Sequence, residues 1–235
     1  MIDSYAWAGG REAMLRFGPA GGPVVIAALP LFEEANRTHA FVVTILRQLA
    51  LRGFAGALPD LPGMGESVIE TEQASLSHWT EAFKEAVEAL RSTYDTVHVI
   101  AFRGGALVDR DAVVDTRWHF SPLSGATVTR DLGRVVLAAA KEAGTHFDPA
   151  TLTARGSPIE IAGNRLTRKL LAEIERAEPV STPPLRTVRL KTDPLTADRH
   201  IEGAPLWRRS DPDNDTALAA LLADDIAGWI ASCGG

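Results

Sequence analysis

The sequence predicts an α/β protein with a mostly parallel sheet that is covered by helices on both faces. Strand-like and helix-like patterns alternate along most of the chain, as they do when crossover helices join parallel strands. Residues 24–29 and 97–102 are apolar almost throughout, which is typical of strands buried on both faces. The second of these segments runs into Arg103, Gly104 and Gly105, and this glycine-rich turn predicts a sharp corner into a helix.

Composition limits the class of protein. The chain has 235 residues, 46% of them hydrophobic, with a net charge of −6, which suits one large domain and argues against nucleic acid or an anionic membrane as partner. The single cysteine, Cys233, rules out an internal disulfide and favours a reducing, cytoplasmic setting. We also expect neither a signal peptide nor a transmembrane segment, because no apolar run approaches about 20 residues.

The elements of the first half follow in order. Residues 13–17 predict a short edge strand, and residues 24–29 predict a central one. Thr38 predicts the N-cap of a helix that continues to Arg52 and stops at Gly53. Further along the chain we expect a strand over 54–58, a helix over 77–92 and the strand that ends at the corner.

The second half departs from simple alternation. We expect a short helix over 104–111 and then a strand over 116–120. Two further helices are predicted, one over 131–143 and one from the Thr167 cap to 178, with a strand-like run at 158–163 between them. Residues 185–190 predict a strand, 205–208 a weak final strand, and a closing helix begins near Asp213 or Asp215. We therefore divide the chain into a core of residues 1–124 and 183–235 and a small helical cap insertion of residues 125–182.

Two turns carry a resemblance to a known fold family. Residues 60–67 match the D-x-P-G-x-G-x-S turn of many α/β-hydrolases, and residues 101–105 occupy the place of their G-x-S-x-G nucleophile elbow, which we call the elbow. The chain resembles the α/β-hydrolase superfamily over most of its length. This resemblance implies the α/β-hydrolase fold, and it implies that residues 30–37 form the loop that supplies one oxyanion-hole amide.

A narrower resemblance is to the hydrolase-like proteins of exosortase A (PEP-CTERM) gene clusters. It is carried by four segments in the same order, namely residues 32–37, 60–67, 101–106 and 156–166. The resemblance implies a bacterial protein linked to surface-protein sorting and exopolysaccharide, without an established substrate. It also implies that arginine at the elbow is a feature of this family.

Arg103 takes the place of the nucleophilic serine. A guanidinium stays protonated and has no lone pair with which to attack a carbonyl, but its fork of N–H groups binds anions and carboxylates well. If the strands over 24–29 and 97–102 are neighbours, Glu33 or Glu34 emerges at the same sheet edge, and we expect one of them to form an ion pair with Arg103. The predicted ligand-binding set contains Phe32, Glu33, Glu34, Asn36, Phe102, Arg103 and Gly104.

The remaining members of a Ser-His-Asp triad are hard to find. Asp193 is well placed for the acid, but no histidine follows the predicted last strand, so His200 is only a weak candidate for the base, and His39, beside the acidic loop, is a similarly weak one. Ser121 could lie near the site but has no evident base. The histidines show no metal-ligand spacing, and we expect no metal and no cofactor.

Two function classes remain open at this point. The favoured one is a hydrolase-fold protein without a working triad that binds a small anionic ligand or a protein partner at the former catalytic site, with a homodimer as an alternative assembly. The other is an active esterase or acyltransferase with a non-standard constellation.

Overall fold

The computed structural model describes residues 1–234 and contains one large sheet, a small hairpin and five α-helices. The strands are β1 (Ile2–Trp7), β2 (Gly10–Phe17), β3 (Pro23–Ala28), β4 (Ala55–Pro59), β5 (Thr96–Phe102), β6 (Thr116–Phe120), β7 (Ile159–Ile161), β8 (Asn164–Leu166), β9 (Leu185–Leu190) and β10 (Arg199–Ile201). The helices are α1 (Glu33–Ala50), α2 (Leu76–Arg91), α3 (Gly125–Glu142), α4 (Arg168–Glu175) and α5 (Thr216–Cys233).

The eight-stranded sheet has the order β1-β2-β4-β3-β5-β6-β9-β10. The strands from β4 to β10 in this order are parallel, whereas β1 and β2 are antiparallel to their neighbours. The predicted fold class is confirmed. In the central pair β3 and β5, Ala28 lies beside Ala101, so both strands end at the same edge.

The alternation of side chains along the central strands builds two cores. Val24, Ile26 and Ala28 of β3 face the core that contains α2, while Val25 and Ala27 face the core that contains α1 and α5. All five are almost fully buried. Burial on both faces explains why these strands read as continuous apolar runs rather than alternating ones.

The first elements differ from the prediction. The edge of the sheet is β1, which pairs with β2 in a hairpin, and β2 begins at Gly10 rather than at Ala13. Helix α1 begins at Glu33, with Phe32 before it at φ 57°. The predicted cap at Thr38 is therefore wrong, because its hydroxyl donates to the Glu34 carbonyl oxygen within the helix, at 2.7 Å.

The last elements also differ. The final strand is β10, and residues 205–208 hold only a short 3-10 turn, Leu206–Arg208. Asp215 does cap α5 by accepting a hydrogen bond from the Leu218 amide. Helix α5, with 18 residues, is the one helix among residues 1–234 that is long and apolar enough to cross a membrane by length and composition alone. Here it packs on the sheet, with Leu222 and Ile226 fully buried.

The segment between β6 and β9 holds α3, the β7–β8 hairpin and α4. Helix α3 begins at Gly125, earlier than predicted, because Ser124 caps it. Gly125 also lets α3 approach α4 closely, since a Cβ there would lie 1.6 Å from the Ile174 carbonyl oxygen. The predicted Thr167 cap of α4 is confirmed.

Candidate functional site

Strained backbone is concentrated at the carboxyl edge of the sheet. Three of the four non-glycine residues with positive φ among residues 1–234 follow the ends of β3, β5 and β6 in this region: Phe32 at 57°, Arg103 at 54° and Ser121 at 47°. Each such conformation costs roughly 1 kcal/mol or more for an ordinary side chain. Strain of this kind gathers where a chain must present a side chain in a fixed direction. The elbow is therefore a sharp turn that holds the Arg103 side chain in a fixed direction.

Arg103 forms the expected ion pair, and its partner is Glu34. The guanidinium donates from Nε to Glu34 Oε2 at 3.1 Å and from Nη2 to Glu34 Oε1 at 3.0 Å. Arg103 is 7% exposed, so this two-pronged bond lies mostly out of water, where charge-assisted hydrogen bonds are strong. The hypothesis that one of the two carboxylates reaches the elbow is confirmed.

Trp207 and Arg37 complete the surroundings of this pair. The Arg103 Cζ atom lies 4.5 Å from the centroid of the Trp207 ring, which is a cation–π arrangement. Arg37 donates to the Trp207 carbonyl oxygen at 3.1 Å and forms an ion pair with Glu33 at 3.4 Å. Helix α1 thus ties both the elbow and the turn before α5 to its first two turns.

A cleft of about 160 Å³ lies in front of this network. Its walls come from the start of α1, from the elbow and from the segment after β6, and they are mostly apolar: Leu31, Phe32, Gly104, Leu123, Val128, Leu132, Val135, Ile161 and Ala162. The charged lining residues are Glu33, Glu34, Arg37 and Asp131. The arrangement offers a small apolar chamber with a charged rim.

The predicted ligand-binding residues divide into four groups. Phe32, Glu33, Glu34 and Gly104 line the cleft. Arg103 does not line it, because its guanidinium is held by Glu34. Phe102 is also placed wrongly by the prediction, since it points into the core formed by α1 and α5 and packs edge-on against Trp118, with ring centroids 6.2 Å apart.

Asn36 belongs to a different concavity. It is exposed and lines a cavity of about 630 Å³ beside β2 and β4, together with His39 and Asp60. Phe32 lines both spaces. Asn36 and His39 are three residues apart, so they lie on the same side of α1. From the sequence alone, this side looks like an ordinary solvent-exposed helix face.

The structure does not join Asp193 to His200. Asp193 Oδ2 accepts from Arg189 Nη1 at 2.7 Å, and its Oδ1 accepts from the Leu195 amide at 3.1 Å. The exposed His200 lies on β10, where its Nε2 bonds the Leu195 carbonyl oxygen at 3.0 Å. Neither residue lines the cleft. Asp193 therefore bonds within the loop after β9, and His200 on β10 bonds to the same loop. The two residues do not have the geometry of a catalytic acid and base.

A buried carboxylate–imidazole pair escaped the sequence analysis. Asp109 follows the elbow, and its Oδ2 lies 3.0 Å from His119 Nε2 and 3.1 Å from Arg117 Nε. Asp109 and His119 are fully buried, and neither lines the cleft. Ser121 is equally buried, and its hydroxyl has no hydrogen-bond partner among the described residues. These groups have the types needed for catalysis, but a substrate in the cleft would not contact them.

No three His, Cys, Asp or Glu side chains within residues 1–234 are grouped in a way that could hold a metal ion. Among the histidines, only His98 has a clearly shifted pKa. Burial lowers the pKa of its ring, whose two nitrogens form hydrogen bonds with the hydroxyl groups of Thr96 and Thr116.

Comparison with solved structures supports the fold. No family model matches the chain, and no curated protein sequence matches it. Est1E from Butyrivibrio proteoclasticus, solved with ferulic acid bound, aligns with a TM-score of 0.65 at 13% identity over 98% of each chain. XC6422 from Xanthomonas campestris, described as an a/b serine hydrolase without lid, aligns with a TM-score of 0.57 at 13% identity, over 97% of this chain and 94% of that one.

A third similar structure has another activity in its description. The bottromycin epimerase BotH, in complex with bottromycin A2, aligns with a TM-score of 0.52 at 16% identity, over 97% of this chain and 98% of its own. The chain therefore has the α/β-hydrolase fold. At these identities the likeness shows the fold alone, and one fold of this kind hosts several activities.

Proposed function

We propose that this protein is a non-catalytic member of the α/β-hydrolase fold that binds a ligand or a protein partner in the cleft at the elbow. The observation that carries the proposal is the Arg103–Glu34 pair. It fills the position of the nucleophile with a cation and engages that cation with a carboxylate, so neither group is available to attack an ester.

The lining of the cleft suggests what it holds. We expected an anion on the assumption that Arg103 is free, but Glu34 takes up its charge, and the other charged lining residues are two carboxylates, Glu33 and Asp131, and one guanidinium, Arg37. An anion would meet repulsion there, whereas an apolar group would be buried against Leu31, Leu123 and Val128. A cavity of about 150 Å³ is large enough for a benzene ring. We therefore favour an apolar side chain of a protein partner, or a small uncharged aromatic ligand, over a small anion.

Two experiments test this function. The first treats the protein with a fluorophosphonate probe and with p-nitrophenyl acetate, alongside an active serine esterase. We expect no labelling and no turnover above the rate of an Arg103→Ala variant. Labelling of the wild-type protein at a serine would overturn the proposal and favour the alternative, an active serine-type hydrolase with a non-standard constellation.

The second experiment measures binding. Phenol is titrated into the protein and followed by amide NMR shifts at Gly104 and Leu123. Val135→Trp fills the mouth of the cleft, whereas Ala138→Trp places the same side chain on the exposed part of α3 as a control. We expect only the first variant to abolish the shifts, and equal shifts in both would refute a site in the cleft.

The cellular role is a separate part of the proposal. Residues 32–37, 60–67, 101–106 and 156–166 support an association with an exosortase-type system in a bacterial cytoplasm. Deletion of the gene should impair sorting of a reporter that carries a PEP-CTERM tail, and the Val135→Trp protein should fail to restore it. Unchanged sorting after deletion would remove this association. Sedimentation of the purified chain measures its mass in solution. A dimer mass would support a homodimer, and a monomer mass would support a different partner.

A further inference from the structure

The cavity of about 630 Å³ beside β2 and β4 is larger than the cleft at the elbow and has a different lining. Its volume lies within the range of small-molecule sites, about 300–1,000 Å³. Most of the wall is apolar, with contributions from Leu15, Leu29, Phe32, Leu61, Met64 and Phe83. Such a wall favours an apolar ligand body.

One carboxylate in this cavity is incompletely bonded. Asp60 Oδ2 accepts a hydrogen bond from the Glu66 amide at 3.1 Å, but its Oδ1 accepts none from the residues that the structure describes. Burial raises the pKa of Asp60, and the Glu66 amide and His39 offset that effect only in part. A carboxylate in such a place is stabilised by a cation that enters with the ligand.

The backbone around Asp60 is built to hold its carboxylate in place. Gly65 has a φ of +61°, and a Cβ at this position would lie 2.2 Å from Asp60 Oδ1. The space that glycine leaves is thus occupied by the carboxylate, whose direction is also fixed by the bond from Glu66. The backbone carbonyl oxygen of Asp60 accepts from the Tyr5 hydroxyl at 2.6 Å. Asp60 is therefore oriented before any ligand arrives.

Carboxylates outnumber basic side chains in the lining of this cavity. Asp60 and Glu66 are acidic, His39 is the one basic side chain, and no lysine or arginine within residues 1–234 lines the cavity. An anion would find no fixed positive charge there, whereas a protonated amine would find Asp60. We propose that this cavity is a second binding site that takes a small molecule with an apolar body and one protonated amine, which Asp60 receives at Oδ1.

The test compares two probes of similar shape and opposite charge. 2-Phenylethylamine and 3-phenylpropionate are titrated separately into the full chain, and binding is followed by amide NMR shifts at Gly65 and Glu66 and by calorimetry. We expect the amine to bind at least about tenfold more tightly than the carboxylate, as a charge-assisted hydrogen bond implies. Equal binding of the two probes, or no binding of the amine at millimolar concentration, would overturn the proposal.

Three variants locate the site. Asp60→Asn keeps an acceptor for the Glu66 amide but removes the charge, so amine affinity should fall at least about tenfold. Ala13→Phe narrows the cavity and keeps the Asp60 carboxylate, because the bond that the Asp60 amide donates to the Ala13 carbonyl oxygen uses backbone atoms only, and it should abolish binding of the amine. Glu88→Gln removes one charge from the exposed face of α2 and should have no effect. An Asp60→Asn protein that binds the amine as well as the wild type would contradict the assignment. Because phenol and Val135→Trp report on the other cleft, failure there would leave this result standing.

Discussion

Arg103 Nη2 lies 3.0 Å from Glu34 Oε1, and this bond joins the turn after β5 to the first turn of α1. Glu34 also lies where the positive end of the helix dipole favours a carboxylate. The Glu34 carboxylate therefore interacts favourably both with the N-terminus of α1 and with the Arg103 guanidinium.

The first prediction concerns the strength of this pair. Arg103→Met should destabilise the fold by about 1–3 kcal/mol, because it leaves Glu34 partly buried without its partner. A double-mutant cycle with Glu34→Gln, measured by urea unfolding, should give a coupling of about 1–2 kcal/mol. Glu33→Gln is the control, since its ion pair with Arg37 is half exposed and longer, at 3.4 Å. A coupling energy no larger than the loss of unfolding free energy in Glu33→Gln would show that the Arg103–Glu34 pair does not stabilise the elbow.

A second prediction concerns Trp207, whose ring contacts both Arg103 and Phe120. Its indole nitrogen is buried and has no hydrogen-bond partner among the described residues. Trp207→Phe should therefore lose little, about 1 kcal/mol, because an aromatic face remains under the guanidinium. Trp207→Ala should lose about 3–5 kcal/mol through the cavity that it leaves. Urea unfolding of the two variants tests this, and equal losses would mean that the indole N–H has a role we have not assigned.

The central strands can be predicted from the sequence because their burial on both faces is visible in each short segment as a run of apolar residues. Residues in β3 and β5 are apolar on both faces, and Gly104 and Gly105 mark the corner, so position alone brings the Glu33–Glu34 segment close to Arg103. The partner could not be chosen between Glu33 and Glu34, because that choice depends on where α1 begins. The start of α1 is set by the positive φ of Phe32, which a propensity pattern does not contain.

Other parts of the site depend on contacts between distant segments. Trp207 reaches Arg103 only after the chain has passed through β9 and β10, and no spacing rule links the two. The Asp109–His119 pair is hidden for the same reason, although the buried position of His119 within β6 was a signal. The large cavity forms where β2, β4 and α1 meet, and such a space is a property of packing rather than of any one segment.

The third prediction compares the two glycines of the elbow. A Cβ on Gly105 would lie 2.2 Å from the Leu29 carbonyl oxygen, which is backbone and cannot give way. Gly105→Ala should therefore destabilise the fold by more than about 2 kcal/mol. A Cβ on Gly104 would meet only side-chain atoms of Leu31 and Val128, at 3.1–3.3 Å. Gly104→Ala should fold with nearly the wild-type Tm but bind phenol more weakly, and a large loss of Tm there would contradict the structure.

The last prediction concerns acid stability and depends on Asp225 in α5. Its carboxylate accepts hydrogen bonds from Trp118 Nε1 at 2.8 Å, from Arg186 Nε at 2.9 Å and from Arg199 Nη1 at 2.6 Å. Burial alone would raise the pKa of Asp225, but the bonds from Arg186, Trp118 and Arg199 together outweigh burial and lower the pKa to about 2. A pKa lower in the folded state than in the unfolded one means that the ionised carboxylate stabilises the fold.

This stabilisation should be complete above about pH 5 and should be lost as the pH falls from about 4 towards 2, because the unfolded chain takes up the proton first. Asp225→Asn should therefore be about 1–2 kcal/mol less stable than the wild type at pH 7, and the difference should shrink as the pH falls through that window. Urea unfolding across pH measures both curves. Asp224→Asn is the matched control, because Asp224 is exposed and its pair with Arg52 lies at the surface. Parallel curves for the wild type and Asp225→Asn would show that the buried network does not set the acid limit of the fold.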